Sequence, residues 1–292
     1  MPEEREMILP LALARSLREH LGSEVVQAAV VGGGCIHECR RVELANGASC
    51  FLKFQPIDTP NLLEAEAAGL KGLSRFIRVP AVVDGGEAGE YRWLALEWLD
   101  LQPHDKSSLV ALGRALGAMH STSLPTHGAA TSGYLGSTPI DNRPMDNWCE
   151  FFLSRRIRPF LSALTRRGEH LPEAKILSAA EKLLIDHTPK PSPLHGDLWT
   201  GNTAALPDGT PVVFDPSYHA GDAECDLAML ELFGAPLPSS FSEAYAEHHE
   251  LPPGRGLRRP LYDLLHALNH VLLFGSGYHG MVRACLGKLG VR

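Results

Sequence analysis

The segment His195-Gly196-Asp197-Leu198-Trp199-Thr200-Gly201-Asn202 sets an acid, and five positions later an amide, on one loop punctuated by glycine. Eighteen residues after Asp197 comes a second acid, Asp215, between the apolar run Val212-Val213-Phe214 and Pro216. Acid, amide and acid in this order suit the transfer of a phosphoryl group from Mg-ATP. That reaction asks the protein to position reactants and neutralise charge more than to bond with them. Asp197 can accept the proton of an attacking hydroxyl and aim its oxygen at the γ-phosphorus. Asn202 and Asp215 offer oxygen ligands, which Mg²⁺ as a hard cation favours. Asp and Asn also cap helices and support turns. The combination, with an apolar strand running into Asp215, selects the chemical reading over that one.

The partners such a site needs lie nearer the N-terminus. Gly32-Gly33-Gly34-Cys35 falls between two strand-like runs, and glycines let backbone N–H groups approach phosphate oxygens closely. Lys53 sits in the apolar strand Phe51-Leu52-Lys53-Phe54. It can snorkel to solvent or point into a cleft and hold the α- and β-phosphates. Glu66, thirteen residues on, falls in a helical run and is the expected partner of Lys53; Glu64, two positions away, projects elsewhere on that helix. At the end of the last strand of this region, backbone groups of Glu97-Trp98-Leu99-Asp100 are placed to meet an adenine edge. Trp98 reads equally as packing or as a contact to the base.

Hydrophobic periodicity supplies the elements that must carry these groups. Helices are expected over 11–21 and 61–73, and strands over 25–31, 40–44 and 49–54, with Asn46-Gly47 as a hairpin turn. Residues 81–83 and 93–98 read as strands joined through a turn at Gly85-Gly86 and a loop to Gly89. Helical patterns then dominate, over 107–120, 146–164, 174–186, 227–233, 240–248 and 261–274, with short apolar segments around Leu194 and at 211–214. The expectation is an α+β, bilobal protein-kinase-like fold. Residues 1–98 form a β-rich ATP-binding lobe, residues 99–292 a mainly helical catalytic and acceptor-binding lobe, and the cleft lies between them near residue 99.

Composition excludes several alternatives. Hydrophobic residues make up 44% and charged residues 21% of the 292, which argues against a disordered chain. The formal charge of −7 gives no global attraction for nucleic acid or an anionic membrane. No apolar run reaches the roughly 18 residues of a membrane span, and the N-terminal stretch lacks the form of a secretory signal, so a cytoplasmic location is expected. The six cysteines form no C-x-x-C pair, which disfavours structural zinc and points to free thiols. His248 and His249 read as a solvated helix face.

The chain resembles the fructosamine kinase (ketosamine 3-kinase) family, within the aminoglycoside phosphotransferase and choline kinase group, over roughly residues 10–288. The resemblance is carried by Gly32-Gly33-Gly34-Cys35-Ile36, the Lys53 strand and Leu194 to Asn202. It continues through Phe214-Asp215-Pro216, Gly221-Asp222-Ala223-Glu224-Cys225-Asp226-Leu227-Ala228-Met229, Leu232-Phe233-Gly234 and the closing helix from Leu261 to His270. It implies ATP and Mg²⁺ as cofactors. It also implies a small-molecule or protein-bound ketosamine as acceptor, phosphorylated on the sugar 3-hydroxyl, after which the unstable phosphate eliminates and frees the amine. Asp226 is expected to support the catalytic loop through its backbone, with a helix N-cap as the alternative, and Asp222 to contact the acceptor. Cys35 is either a redox-sensitive thiol, consistent with a monomer or a redox-sensitive homodimer, or a small residue that fits the loop. Two departures stand out: His37 where Asn is usual, facing either phosphate or solvent, and Ala223 where Arg is common. An aminoglycoside or amino-alcohol kinase is the second reading. A pseudokinase binding module is the third, disfavoured because Lys53, Asp197, Asn202 and Asp215 are all present.

Overall fold

In the computed structural model, β2 (Glu38–Leu44) turns through Asn46-Gly47 into β3 (Ser49–Pro56). The Asn46 side chain closes the turn by accepting from the Ala48 N–H at 3.0 Å. The structure describes residues 9–32, 37–234, 236–250 and 252–291. Gly33, Gly34 and Cys35, proposed from sequence as part of the nucleotide loop, therefore lie outside the described residues. With β1 (Val25–Val30), β4 (Val82–Ala88) and β5 (Tyr91–Glu97), the hairpin builds an antiparallel sheet in the order β1-β2-β3-β5-β4.

Strand alternation decides what each face meets. Leu52, Phe54, Trp93 and Ala95 pack with Leu13 and Leu17 of α1 (Leu11–Leu21). Residues of the opposite parity, Leu94 and Leu96, join Leu63, Leu70 and Leu73 of α2 (Leu62–Leu73). Lys53 shares that second parity, so the pleat that buries Leu52 and Phe54 turns Lys53 toward α2. Asn61 caps α2 by accepting from the Glu64 N–H at 3.3 Å, an arrangement worth about 1 kcal/mol.

Beyond β5 the chain is mainly helical. α3 (Lys106–Ser121) starts at a capping box between Asp105 and Ser108. The small hairpin β6 (Gly133–Leu135) and β7 (Thr138–Ile140) leads into α4 (Trp148–Phe152), a π turn over Leu153–Ile157, α5 (Arg158–Arg166) and α6 (Glu173–Leu184). Two short ladders follow. β8 (Ser192–Leu194) pairs with β11 (His219–Gly221), and β9 (Thr203–Ala205) with β10 (Pro211–Val213). The loops left between them carry residues 195–202 and 214–218. α7 (Glu224–Leu232), α8 (Ser239–Ala246), α9 (Arg255–Phe274) and α10 (His279–Lys288) complete the chain. The β-sheet region followed by a helical region is the α+β arrangement of a protein-kinase-like fold. Apolar packing crosses residue 98 without a break, since Leu94 and Leu96 belong to one cluster with Leu112, Leu116, Leu198 and Val213. Among the described residues no helix is long and apolar enough to cross a membrane.

Several expectations are corrected. Gly85 and Gly86 lie inside β4, and the turn falls later, at Gly89-Glu90. The helix expected over 146–164 is interrupted by its π turn. Pro159 has no N–H for the carbonyl four residues back, that of Arg155, and the Arg156 guanidinium donates to that carbonyl instead, at 3.2 Å. α9 begins at Arg255, six residues earlier than expected, because Pro260 forfeits one hydrogen bond near its start without ending it. His248 is exposed as expected, but both histidines lie past the end of α8, and His249 is half-buried, packing edge-on against Tyr245 with ring centroids 5.6 Å apart. The β6–β7 hairpin, β9, β11 and α10 carried no sequence expectation.

Candidate active site

Residue 195 begins the loop, and four hydrogen bonds set its geometry. His195 Nε2 donates to the Phe214 carbonyl at 2.8 Å, leaving Nδ1 to accept from the Asp197 N–H at 3.3 Å. Burial lowers its pKa, so the imidazole stays neutral and holds that tautomer. Asp226, in the first turn of α7, accepts from the His195 N–H at 2.7 Å and the Gly196 N–H at 2.8 Å. His120 reaches the same carboxylate at 3.3 Å. Asp226 therefore braces the loop backbone. The N-cap alternative fails, since α7 starts at Glu224, whose N–H donates to Asp222 at 3.1 Å.

Gly196 has φ +79°, and a Cβ there would stand 2.2 Å from the Ser217 carbonyl oxygen. Both the conformation and the space demand glycine. Gly196→Ala is expected to cost about 2 kcal/mol or more and to displace Asp197. Thermal melting and turnover should both fall, and a fully active, equally stable variant would refute the tight fit. Gly201 meets a related constraint: its Cβ would lie 2.2 Å from the Trp199 ring, which folds over the loop.

The loop and the sheet meet at Lys53. Its ammonium lies 2.8 Å from Glu66 Oε1 and 2.5 Å from Asp215 Oδ1. Burial opposes the lysine's charge, but the two carboxylates overcome it and hold its pKa well above the usual value. Burial pushes Glu66 up, against the pull of Lys53. Asp215 is lowered, because the Lys53 charge outweighs its own burial. Asp215 is the one described non-glycine residue in the left-handed region, at φ 59°. Such strain persists where the surroundings impose it, here by the Lys53 pairing. Asp197 makes no comparable pair. Burial first, then Asp215 and Asp226, raise its pKa to about 7. Asn202 Nδ2 donates to the Asp197 carbonyl at 2.9 Å, which turns its Oδ1 outward. That oxygen and the Asp215 carboxylate, both on the cleft lining, are donors whose chemistry fits a hard cation.

These groups line one cleft of about 1040 Å³, which also receives Gly32, His37, Cys39 and the 97–102 segment. The Glu97 side chain faces away to pair with Arg78 at 2.6 Å and to accept from the Ala81 N–H. Glu97 and Leu99 border the cleft at the strand end. Trp98 stacks on the Arg41 guanidinium, 4.6 Å from its ring. His37 reaches Gln55 at 2.9 Å, and burial with Lys53 lowers its pKa. Asp222 is not brought to the cleft. It is 2% exposed, and it pairs with His187 at 2.7 Å and Tyr262 at 2.6 Å. The acceptor contact expected of Asp222 is thus replaced by an internal network. The five described cysteines are free thiols.

Sequence reading missed one side of the cleft. Trp199, Phe233, His270, Phe274 and Tyr278 form a chain of ring contacts along it, His270 lying 4.9 Å from Phe233 and 4.8 Å from Tyr278. Beneath them the buried His266 Nδ1 lies 3.9 Å from Asp197 Oδ1. Burial lowers His266 to about 3, so the ring is neutral. The available signal was the spacing of His266, Asn269 and His270 on one face of an otherwise apolar helix.

Comparison with known proteins agrees with this geometry. The family model described as fructosamine kinase matches residues 11–290. A protein of Synechocystis sp. named a probable ketoamine kinase is 36% identical over 267 residues, covering 88% of this chain and 89% of that one. A crystal structure of a "putative fructosamine-3-kinase" from Thermobifida fusca superimposes with a TM-score of 0.85 at 37% identity, covering 95% of this chain and 98% of that one. A macrolide 2'-phosphotransferase type I, at 17% identity and a TM-score of 0.57 over 97% of this chain and 98% of that one, shares the fold alone.

Proposed function

Since the chain belongs to the fructosamine kinase family, and is therefore a kinase, we propose that it moves the γ-phosphoryl group of ATP to the 3-hydroxyl of a ketosamine sugar. The observation that carries this reading is the meeting of Lys53, Glu66, Asp215, Asn202 and Asp197 in one cleft. Lys53 holds the α- and β-phosphates. Asn202 and Asp215 would hold Mg²⁺, which when bound neutralises phosphate charge. Asp197 takes the hydroxyl proton as the acceptor oxygen bonds to the γ-phosphorus and the bond to the bridging oxygen breaks. ADP and a sugar 3-phosphate leave. Elimination of that phosphate then frees the amine, which makes the reaction a deglycation step.

The acceptor end of the cleft favours a sugar over a polycation. Around Asp197, the 129–134 stretch, Asn142, Trp199, His270 and Tyr278 contribute an amide, hydroxyls and ring faces, and none of them adds a second carboxylate. Neutral hydroxyls find partners there, whereas an aminoglycoside's several ammonium groups would lose water with little in exchange. A coupled assay of ADP release with ribuloselysine, fructoselysine, choline and kanamycin tests this. Turnover on the ketosamines is expected, and activity confined to choline or kanamycin would overturn the reading.

A further inference from the structure

Arg156 is a buried cation, 2% exposed, that no carboxylate pairs with among the described residues. The neighbouring Asp141 carboxylate is taken by Arg143 and Arg155. Burial lowers the Arg156 pKa only to about 10, so it stays charged at neutral pH. Its Nη1 donates to the Asp141 carbonyl at 2.9 Å, its Nη2 to Asn142 Oδ1 at 2.6 Å, and its plane lies 4.7 Å from the Phe151 ring. It sits in the π turn, a feature that often marks a functional position.

Arginine only donates, so the amide oxygen of Asn142 must be the atom that faces it. The Asn142 NH₂ group is thereby turned the other way. It makes no hydrogen bond among the described residues, although Asn142 is 2% exposed. Nδ2 lies 3.5 Å from the point where a Cβ on Gly133 would stand, and Asn142 and Gly133 both line the cleft. Asn269, the other amide at that end, is already used: its Oδ1 accepts from Thr138 at 2.6 Å and its Nδ2 donates to the Leu135 carbonyl at 3.1 Å.

We propose that Asn142 binds the acceptor, its Nδ2 donating to an uncharged oxygen of the sugar, hydroxyl or carbonyl, and that Arg156 is the positioning residue that fixes the amide for this purpose. The proposal deepens the ketosamine-kinase reading and rests on it. A donor at the cleft wall with no partner inside the protein also supplies specificity, because an acceptor that covers it without offering an oxygen strips it of water and leaves it unpaired.

Asn142→Asp tests the proposal in the full-length protein. The carboxylate keeps the shape and gains a charge pair with Arg156, so folding is retained, but the donor is gone. kcat/KM for ribuloselysine is expected to fall by about a hundredfold, with the Kd for ATP and the melting temperature of the variant near wild type. Across deoxygenated acceptors, the wild type should lose activity when the contacted oxygen is removed, and Asn142→Asp should lose little more. Arg156→Lys, which retains a donor toward Oδ1, should keep more acceptor affinity than Arg156→Met. An acceptor kcat/KM within about twofold of wild type, or an equal weakening of ATP binding, would overturn the assignment. If the wild type turned over only choline or kanamycin, the ketosamine reading would fall. The same split between acceptor and nucleotide, measured with that alcohol, would still decide the role of Asn142.

Discussion

Asp197→Asn is expected to lower kcat by about a thousandfold while the variant still binds ATP and melts at a higher temperature than wild type. The two halves of this result share one cause. Burial, with Asp215 and Asp226 nearby, raises Asp197 to about 7, against about 3.9 for an unfolded chain. A group raised in this way contributes its stability below the unfolded value and loses it as pH rises through the folded one. From about pH 4 to about pH 7 the ionised Asp197 therefore increasingly opposes folding. The isosteric amide removes that cost and the base together, so the gain in melting temperature should be small at pH 4 and level off above pH 7. Wild-type turnover should show the complementary profile, rising with pH as Asp197 loses its proton and flattening above. Melting curves and kcat measured at pH 5 and pH 8 check both halves. Turnover within tenfold of wild type would mean that another group takes the proton.

The parts of this site that sequence revealed share a local signature. His195 to Asn202 is contiguous, Asp215 follows a recognisable apolar strand, and Lys53 and Glu66 each sit in an element whose periodicity is plain. What stayed hidden depends on tertiary neighbours. Asp222 sits in the same acidic segment as Asp226, yet Tyr262 and His187 draw it into the interior while Asp226 turns to the loop backbone. No property of residues 221–226 distinguishes those fates, because the deciding donors lie 40 and 35 residues away. The π turn is similar. Pro159 signals an interruption, but only the position of Asn142 gives Arg156 a use. The aromatic wall joins Trp199 and Phe233 to His270 on α9, a meeting that the helix packing creates.

Lys53→Met separates the structural from the functional use of the same charge. Lys53 and Glu66 are buried, at 5% and 9% side-chain exposure, whereas Asp215 is 45% exposed. Removing one partner from a buried pair typically costs about 3–5 kcal/mol. The lower end applies here, since Asp215 can turn to water and Glu66, already raised to about 7, can take up a proton. The sign of the pH dependence follows. Without the ammonium, Glu66 is held higher still, and its ionisation opposes folding as pH rises through that value. The variant should therefore lose more stability at pH 8 than at pH 6. Loss of the phosphate-holding charge should separately weaken kcat/KM for ATP by about a hundredfold or more. Adding Glu66→Gln removes the stranded carboxylate, so the double variant should recover most of the lost stability and none of the lost ATP use. That divergence, read from melting curves and ATP kinetics in a double-mutant cycle, is what a phosphate-binding lysine requires and a merely structural one does not. If the double variant regained wild-type kcat/KM for ATP, Lys53 would be only a brace for α2, and the nucleotide would have to be held by other groups in the cleft.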